Sequence, residues 1–164
     1  MTTGWVVYAC LILGLSSALV AGVFQAFSDF VMRGLVLAET AGGIDSMQHI
    51  NETVLRSLFL VGFLALVPAT LALAVYAHLE LGGSGRTLIV AAAVLYLVTV
   101  FTVTVAGNVP MNRRLAAMAH SSAEAEAYWS FYSRVWTWCN HVRWIGSAGT
   151  AACLLLAAVY LASA

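Results

Sequence analysis

The sequence predicts an all-α integral membrane protein, a four-helix up-down bundle with one polar, aromatic-rich end. Two observations predict this fold class. The 164-residue chain is 62% hydrophobic and only 9% charged, whereas a soluble domain typically carries about 25% charged residues. Four uncharged runs also have about the 20 residues that cross a hydrocarbon core of roughly 30 Å. These runs are Trp5–Phe24, Ser57–Ala77, Thr87–Ala106 and Trp144–Ala164.

Each uncharged run belongs to a longer predicted helix, because a helix satisfies its own backbone hydrogen bonds in lipid. The alternating ten-residue pattern of a membrane barrel is absent from the sequence. The first run follows no basic segment, so we predict a mature span rather than a signal peptide. The predicted spans cover residues 5–37, 46–79, 87–107 and 124–162 of a single transmembrane domain, 1–164.

Helix-boundary residues separate the predicted spans. Asp45 is the predicted N-cap of the second helix, and Ser121 or Ser122 caps the last one. The third helix is predicted to end at Gly107, where a nearby proline suits the first turn of another helix. We therefore expect a short helix, Met111–Ala119, between spans 3 and 4.

The two ends of the predicted bundle differ in charge. The end formed by residues 25–56 and 107–143 holds six of the seven arginines, six of the seven acids and three of the four histidines. The positive-inside rule places this end in the cytoplasm, and we expect a bacterial inner membrane. Zero net charge without any lysine disfavours a nucleic-acid partner. Four spans without repeats or charged midplane residues disfavour a transporter.

Polar side chains from several helices are predicted to meet at the polar end. Asn140, His141 and Arg143 lie at the membrane boundary of the last helix. Polar residues at membrane depth usually face the bundle interior and mark function. A single amide can also simply join two helices, at about 0.6 kcal/mol. The number of such residues favours a polar pocket, to which the other helices contribute Gln25, Asn51, Asn108 and Asn112.

Aromatic residues are dense beside this group: the segment YWSFYSRVWTWCNHVRW, residues 128–144, contains seven in seventeen positions. An aromatic belt at the level of the lipid headgroups explains Trp129, Phe131 and Trp138. It does not explain the asparagine, histidine and arginine that follow them.

A metal or haem site is an alternative to a substrate pocket. His49 and His141 could form a mixed site with Asp29, Glu52 or Cys139. No HxxxH or ExxH spacing is present, and three cysteines without CxxC spacing disfavour a disulfide framework or a zinc site. Nothing orients a base towards Cys139 for nucleophilic catalysis. We therefore predict no cofactor and keep His49 and His141 as the fallback metal ligands.

Four motifs resemble a known family. AGVFQAFSDFVMRGL, GIDSMQHIN, GNVPMNRRLA and WTWCNHVRW occur in this order from Ala21 to Arg143. They are similar to motifs of the anthrone oxygenase-like family of small four-helix membrane proteins, which includes fungal anthrone oxidases. GNVPxN followed by an NHVR-like segment carries most of the specificity. The resemblance implies an oxygenase that converts an anthrone into an anthraquinone with molecular oxygen and without a cofactor.

The resemblance also implies roles for the polar residues. Loss of a proton from the anthrone CH2 gives an enolate that reacts with O2, and His141 is the expected base. The expected donors to the developing oxyanion are Asn108, Asn112, Asn140 and Arg143. An aromatic slot would hold the rings while polar side chains bind the phenol groups. The residues expected to contact the substrate are Phe24, Gln25, Phe27, Gln48, His49, Asn51, Tyr132 and Trp136.

A competing hypothesis belongs to another class: a non-catalytic membrane subunit that binds a quinone or lipid, or partner helices. The position of His141 separates the two. A pocket shared with the asparagines favours the enzyme, and a tight interhelical hydrogen-bond network favours the subunit. Under the first hypothesis the partners are a hydrophobic small molecule and membrane lipid.

Overall fold

The computed structural model describes residues 4–163, which form five helices and no strand. Four helices are long and apolar enough to cross a membrane, as expected of a multi-pass membrane protein. A shorter helix lies between the first and second spans. The helices are α1 (Gly4–Leu37), α2 (Thr40–Val54), α3 (Leu58–Glu80), α4 (Gly83–Ala116) and α5 (Ala123–Ser163). The predicted all-α bundle with four spans is confirmed.

Helix α5 is the centre of the bundle, packing mainly against α1 and α4. At the end where α3 joins α4, the buried core consists largely of small and aliphatic side chains such as Cys10, Ala77, Ala92 and Ala157. Small residues let membrane helices approach closely, and close packing replaces the hydrophobic driving force that lipid does not supply. This end of the bundle is called the apolar end below.

The other half of the bundle, called the polar half below, contains all of the π-helical turns among the described residues. Helix α1 widens into a π turn at Phe27–Val31, and α4 does so at Tyr96–Thr102 and Thr104–Asn108. A π turn bonds i to i+5 and is frequent at functional sites. The α-helical parts on either side are Gly4–Ala26 and Met32–Leu37 in α1, and Gly83–Leu95 and Val109–Ala116 in α4.

The predicted second span, 46–79, is two helices rather than one. The chain breaks at residues 55–57, and the Ser57 side-chain oxygen accepts a hydrogen bond of 3.2 Å from the Leu60 amide. The prediction of Asp45 as an N-cap was wrong, because α2 already begins at Thr40. Gly43 is helical and packs on the Leu35 carbonyl, where a Cβ would clash. Gly43 therefore allows α1 and α2 to pack closely at this point.

The predicted end of the third helix at Gly107 was also wrong. Helix α4 continues to Ala116, so the short helix expected at Met111–Ala119 is its last two turns. Pro110 has no N–H to donate, and the chain crosses this position directly after the π turn Thr104–Asn108. The cap of the last helix was predicted correctly, since the Ser122 hydroxyl accepts a 3.1 Å hydrogen bond from the Ala125 amide.

Candidate active site

A cavity of about 730 Å³ lies in the polar half of the bundle, between residues of all five helices. Its size is within the range of about 300–1,000 Å³ that is usual for small-molecule sites. His49 lines it with a side chain that is 70% exposed, so the cavity opens to the surroundings beside α2. Five aromatic side chains line its walls: Phe24, Phe27, Phe59, Phe63 and Trp136.

Arg143 is the buried charge of this cavity, only 5% exposed. One guanidinium nitrogen donates to Asn140 Oδ1 at 2.7 Å, and another lies 3.5 Å from Thr104 Oγ1. The guanidinium carbon sits 4.4 Å from the ring centre of Phe24 and 5.1 Å from that of Trp136. Such cation–π contacts hold the charged group at the aromatic wall.

The guanidinium of Arg143 is incompletely paired. No carboxylate of residues 4–163 lies within 4.0 Å of it, and its Nε has no hydrogen-bond partner. A buried charge is costly unless it is paired and hydrogen-bonded. Arg143 therefore has an unused donor and an unpaired charge, and hydrogen bonds from such a group are strongest to a negatively charged oxygen.

Asn108 also lines this cavity and is 1% exposed, and unlike Arg143 it carries a hydrogen-bond acceptor. Its Nδ2 donates to the Trp136 carbonyl at 3.2 Å. A carbonyl only accepts, so this bond fixes which end of the amide is nitrogen. The remaining Oδ1 is buried and has no partner, so one acceptor of this lining residue is unused.

Asn112 is held by two donors from α5. Its Oδ1 accepts from the Tyr132 hydroxyl at 2.9 Å and from the Trp136 indole N–H at 2.9 Å. The Tyr132 hydroxyl in turn lies 3.4 Å from Asn51 Nδ2, which joins α2 to the network. Both donors bond to Oδ1, so neither of them uses the donor capacity of Asn112 Nδ2.

Asn140 holds Arg143 in place from outside the cavity lining. Its Nδ2 donates to the Phe24 carbonyl at 2.6 Å and to the Ser28 hydroxyl at 2.7 Å. Ser28 lies in the π turn of α1 and Phe24 shortly before it, so the turn and the arginine are connected through one amide. Asn140 therefore acts as a positioning residue.

Four of the predicted site residues have positions or hydrogen-bond partners that the sequence did not predict. Gln48 lines the cavity, but its amide nitrogen is used by the carbonyls of Leu115 and Met118, at 2.8 and 2.9 Å. Gln25 is exposed and does not line the cavity, and Tyr132 is fully buried behind Asn112. His141 lies outside the lining, with its ring edge-on to Trp138 at 5.6 Å.

The role of His141 as the base stays a prediction. The His141 side chain is not among the residues that line the cavity. The aromatic-belt interpretation suits Phe131 and Trp138, which are 52% and 67% exposed. Trp129 is different, because it is buried and stacked on Tyr132 with ring centres 5.6 Å apart.

His49 lies at the open side of the cavity. Its Nδ1 is 2.9 Å from the Asp45 carbonyl oxygen and 3.5 Å from the Asp45 carboxylate, which also lies 3.5 Å from His120 Nδ1. The hydrogen bond to the carbonyl, and then the charge of the carboxylate, raise the pKa of His49 above its usual value. The carbonyl requires a proton on Nδ1, so the neutral ring presents Nε2 as its acceptor.

Among the described residues, no three His, Cys, Asp or Glu side chains lie close enough together to hold a metal ion. The fallback pair, His49 and His141, is therefore not part of such a cluster. The expectation that no cofactor is used stays a prediction.

Sequence reasoning missed several residues of the site. Thr104 precedes Asn108 by four positions and shares its helix face. Phe59 and Phe63 are also four residues apart, and both line the cavity from α3. The four-residue spacing was a signal for each pair. Ser28 offered none, because its role depends on a contact with α5.

Comparison with known protein families gives a match over the central and C-terminal part of the chain. The model of the anthrone oxygenase family matches residues 53–153, which is more than half of the chain. The matched range includes α3, α4 and most of α5, with Asn108, Asn112 and Arg143, and excludes α1 and nearly all of α2. No curated protein and no solved structure matches the chain significantly. Family membership suggests an oxygenase function, as the sequence motifs predicted: the chain belongs to the anthrone oxygenase family.

Proposed function

We propose that this protein is a membrane-embedded oxygenase that oxidises a hydrophobic polycyclic phenol of the anthrone type with O2. The observation that carries the proposal is the unpaired, buried guanidinium of Arg143 at the wall of an aromatic cavity. The cavity suits a flat ring system, and its open side gives access for substrate and oxygen.

The reaction converts a CH2 group and O2 into a C=O group and water. The enolate carbon bonds to O2, and the resulting hydroperoxide loses water as its O–O bond breaks. No other oxidant is needed, since both oxygen atoms of O2 are accounted for. Negative charge develops on the substrate oxygen before the reaction with O2, so preorganised donors around that oxygen accelerate the reaction.

The described side chains fit these demands. Arg143 Nε donates to the substrate oxygen, and Asn112 Nδ2 is a second donor. Asn108 Oδ1 accepts a hydrogen bond from a hydroxyl of the substrate. Phe24, Phe59 and their aromatic neighbours contact the rings.

The proposal is tested by oxygen uptake of detergent-solubilised protein with anthrone, corrected for spontaneous oxidation. We expect one O2 consumed per anthraquinone formed and one atom of ¹⁸O2 in the product. Arg143→Gln should lower the rate about 10²–10³-fold, the usual cost of removing an oxyanion donor. Arg114→Gln is the matched control, because Arg114 stacks on Tyr128 outside the cavity lining.

His141→Ala belongs in the same experiment. We expect less than a threefold change, because His141 does not line the cavity. A rate loss as large as that of Arg143→Gln would instead support His141 as the base. Anthrone binding without any oxygen uptake would contradict the enzyme and favour the binding subunit.

A further inference from the structure

We propose that the cavity holds its hydroxylated polycyclic ligand as the anion, and that Arg143, rather than a base of the protein, brings about the ionisation. The class of ligand rests on the proposed function. The proposal adds the protonation state of the bound ligand and the group that determines it.

The surroundings of Arg143 are the first argument. Its guanidinium contacts the neutral groups of Asn140 and Thr104 and the rings of Phe24 and Trp136. Its Nε is unpaired, and no carboxylate of the described residues forms an ion pair with it. A phenolate or enolate oxygen would supply both the missing hydrogen bond and the missing charge. The neutral ligand would supply only the hydrogen bond.

The second argument is that none of the possible bases in the cavity lining is bonded to Arg143. Apart from Arg143, the ionisable side chains of the lining are His49, Glu52 and Arg113. All three lie on α2 or near the end of α4, and none of them bonds to Arg143. The aromatic wall therefore contains a positive charge to which no ionisable proton acceptor of the lining is bonded. Such a site favours the ionised form of an acidic ligand, because the opposite charge stabilises it.

The ionisation step itself is simple. The O–H bond of the phenol or enol breaks, its electron pair remains on oxygen, and the proton passes to water at the open side beside α2. His49 stands on this side, with Nε2 as the acceptor of its neutral form. The anion remains with Arg143.

The test uses alizarin, a dihydroxyanthraquinone that changes colour when its phenol ionises. The dye is titrated with pH in detergent micelles, with and without an excess of wild-type protein. Bound dye should ionise at a pKa at least one unit lower than free dye, which corresponds to at least a tenfold preference for the anion. Unsubstituted anthraquinone, which cannot ionise, should bind with an affinity independent of pH.

Variants assign the effect to the guanidinium. Arg143→Gln should remove the pKa difference, Arg143→Lys should retain part of it, and Arg114→Gln should leave it unchanged. If Arg143→Gln does not fold, the comparison of free and wild-type-bound dye still decides.

The outcomes separate the two proposals. Dye that binds with an unshifted pKa overturns the inference and leaves the proposed oxygenase standing. A shift that survives in folded Arg143→Gln also overturns it. If neither alizarin nor anthraquinone binds, the cavity is not a polycyclic site, and the proposed function fails together with the inference.

Discussion

The same helices form two very different halves of the bundle. At the apolar end they run as regular α-helices, and small and aliphatic side chains fill the space between them. In the polar half α1 and α4 contain π turns, a cavity of about 730 Å³ separates the helices, and hydrogen-bonded amides connect them. The apolar end is therefore closely packed, whereas the polar half gives up close packing around the cavity.

Substitution of Asn112 tests the polar half and should have the largest effect of the substitutions that compare the two halves. Asn112→Leu removes the acceptor shared by Tyr132 and Trp136, and each unpaired donor costs about 1–3 kcal/mol. We expect oxygen uptake to fall about a hundredfold, as for other lost oxyanion donors, with a clear loss of thermal stability.

Asn112→Asp is the matched variant. It retains an acceptor for both donors but loses the Nδ2 donor and adds a negative charge, so activity should fall while stability remains near that of the wild type. Loss of stability without loss of activity in either variant would show that the network is only structural.

Leu154→Ala tests the apolar end. Leu154 is fully buried there. The variant should lose about 2 kcal/mol of unfolding free energy, the lower end of the range for buried leucine, because lipid is as apolar as the core. Unfolding in mixed detergent micelles measures this loss, and oxygen uptake should stay within a factor of about two.

The control for Leu154→Ala is Leu156→Ala, a nearby residue on the same helix that is 57% exposed. It should change stability little. A large fall in activity on Leu154→Ala would show that the two halves are coupled, and the comparison would then fail.

The smallest expected effect concerns His49. Its pKa is raised by the Asp45 carbonyl and then by the Asp45 carboxylate, so its protonated form is the one that the folded state favours. This stabilisation is fully present below the unfolded pKa of about 6.5 and is lost as pH rises through the higher folded value. Thermal unfolding between about pH 5.5 and 8.5 should show a small decrease in Tm with rising pH.

His49→Ala should flatten this pH dependence. His120 also lies near the Asp45 carboxylate, and Glu52 also raises the pKa of His49. His120→Ala therefore removes the second histidine beside Asp45, so that the pH dependence that remains can be assigned to His49. An identical pH profile for His49→Ala and wild type would contradict the assignment.

The sequence predicted the four spans because hydropathy reports directly on burial in lipid. It predicted Asn108, Asn112 and Arg143 as site residues because polar side chains at membrane depth avoid the lipid face.

The sequence did not predict the surroundings of His141, because neighbouring residues on a helix differ by about 100° in direction. Asn140 and Arg143 are three residues apart and share a face, whereas the His141 ring meets Trp138 instead. The break before Ser57 was also missed, because residues 46–79 continue in a helix-compatible pattern on both sides.

The π turns of α4 have a consequence for how this site tolerates insertions and deletions. A π turn holds one residue more than an α turn, so it absorbs an extra residue without turning the helix that follows it. Removing a single residue between Tyr96 and Thr104 would convert a π turn into an α turn and leave Asn108 and Asn112 beside the cavity. The chain can therefore shorten by one residue at this turn, whereas a further residue inserted here would rotate the following helix by about 100°.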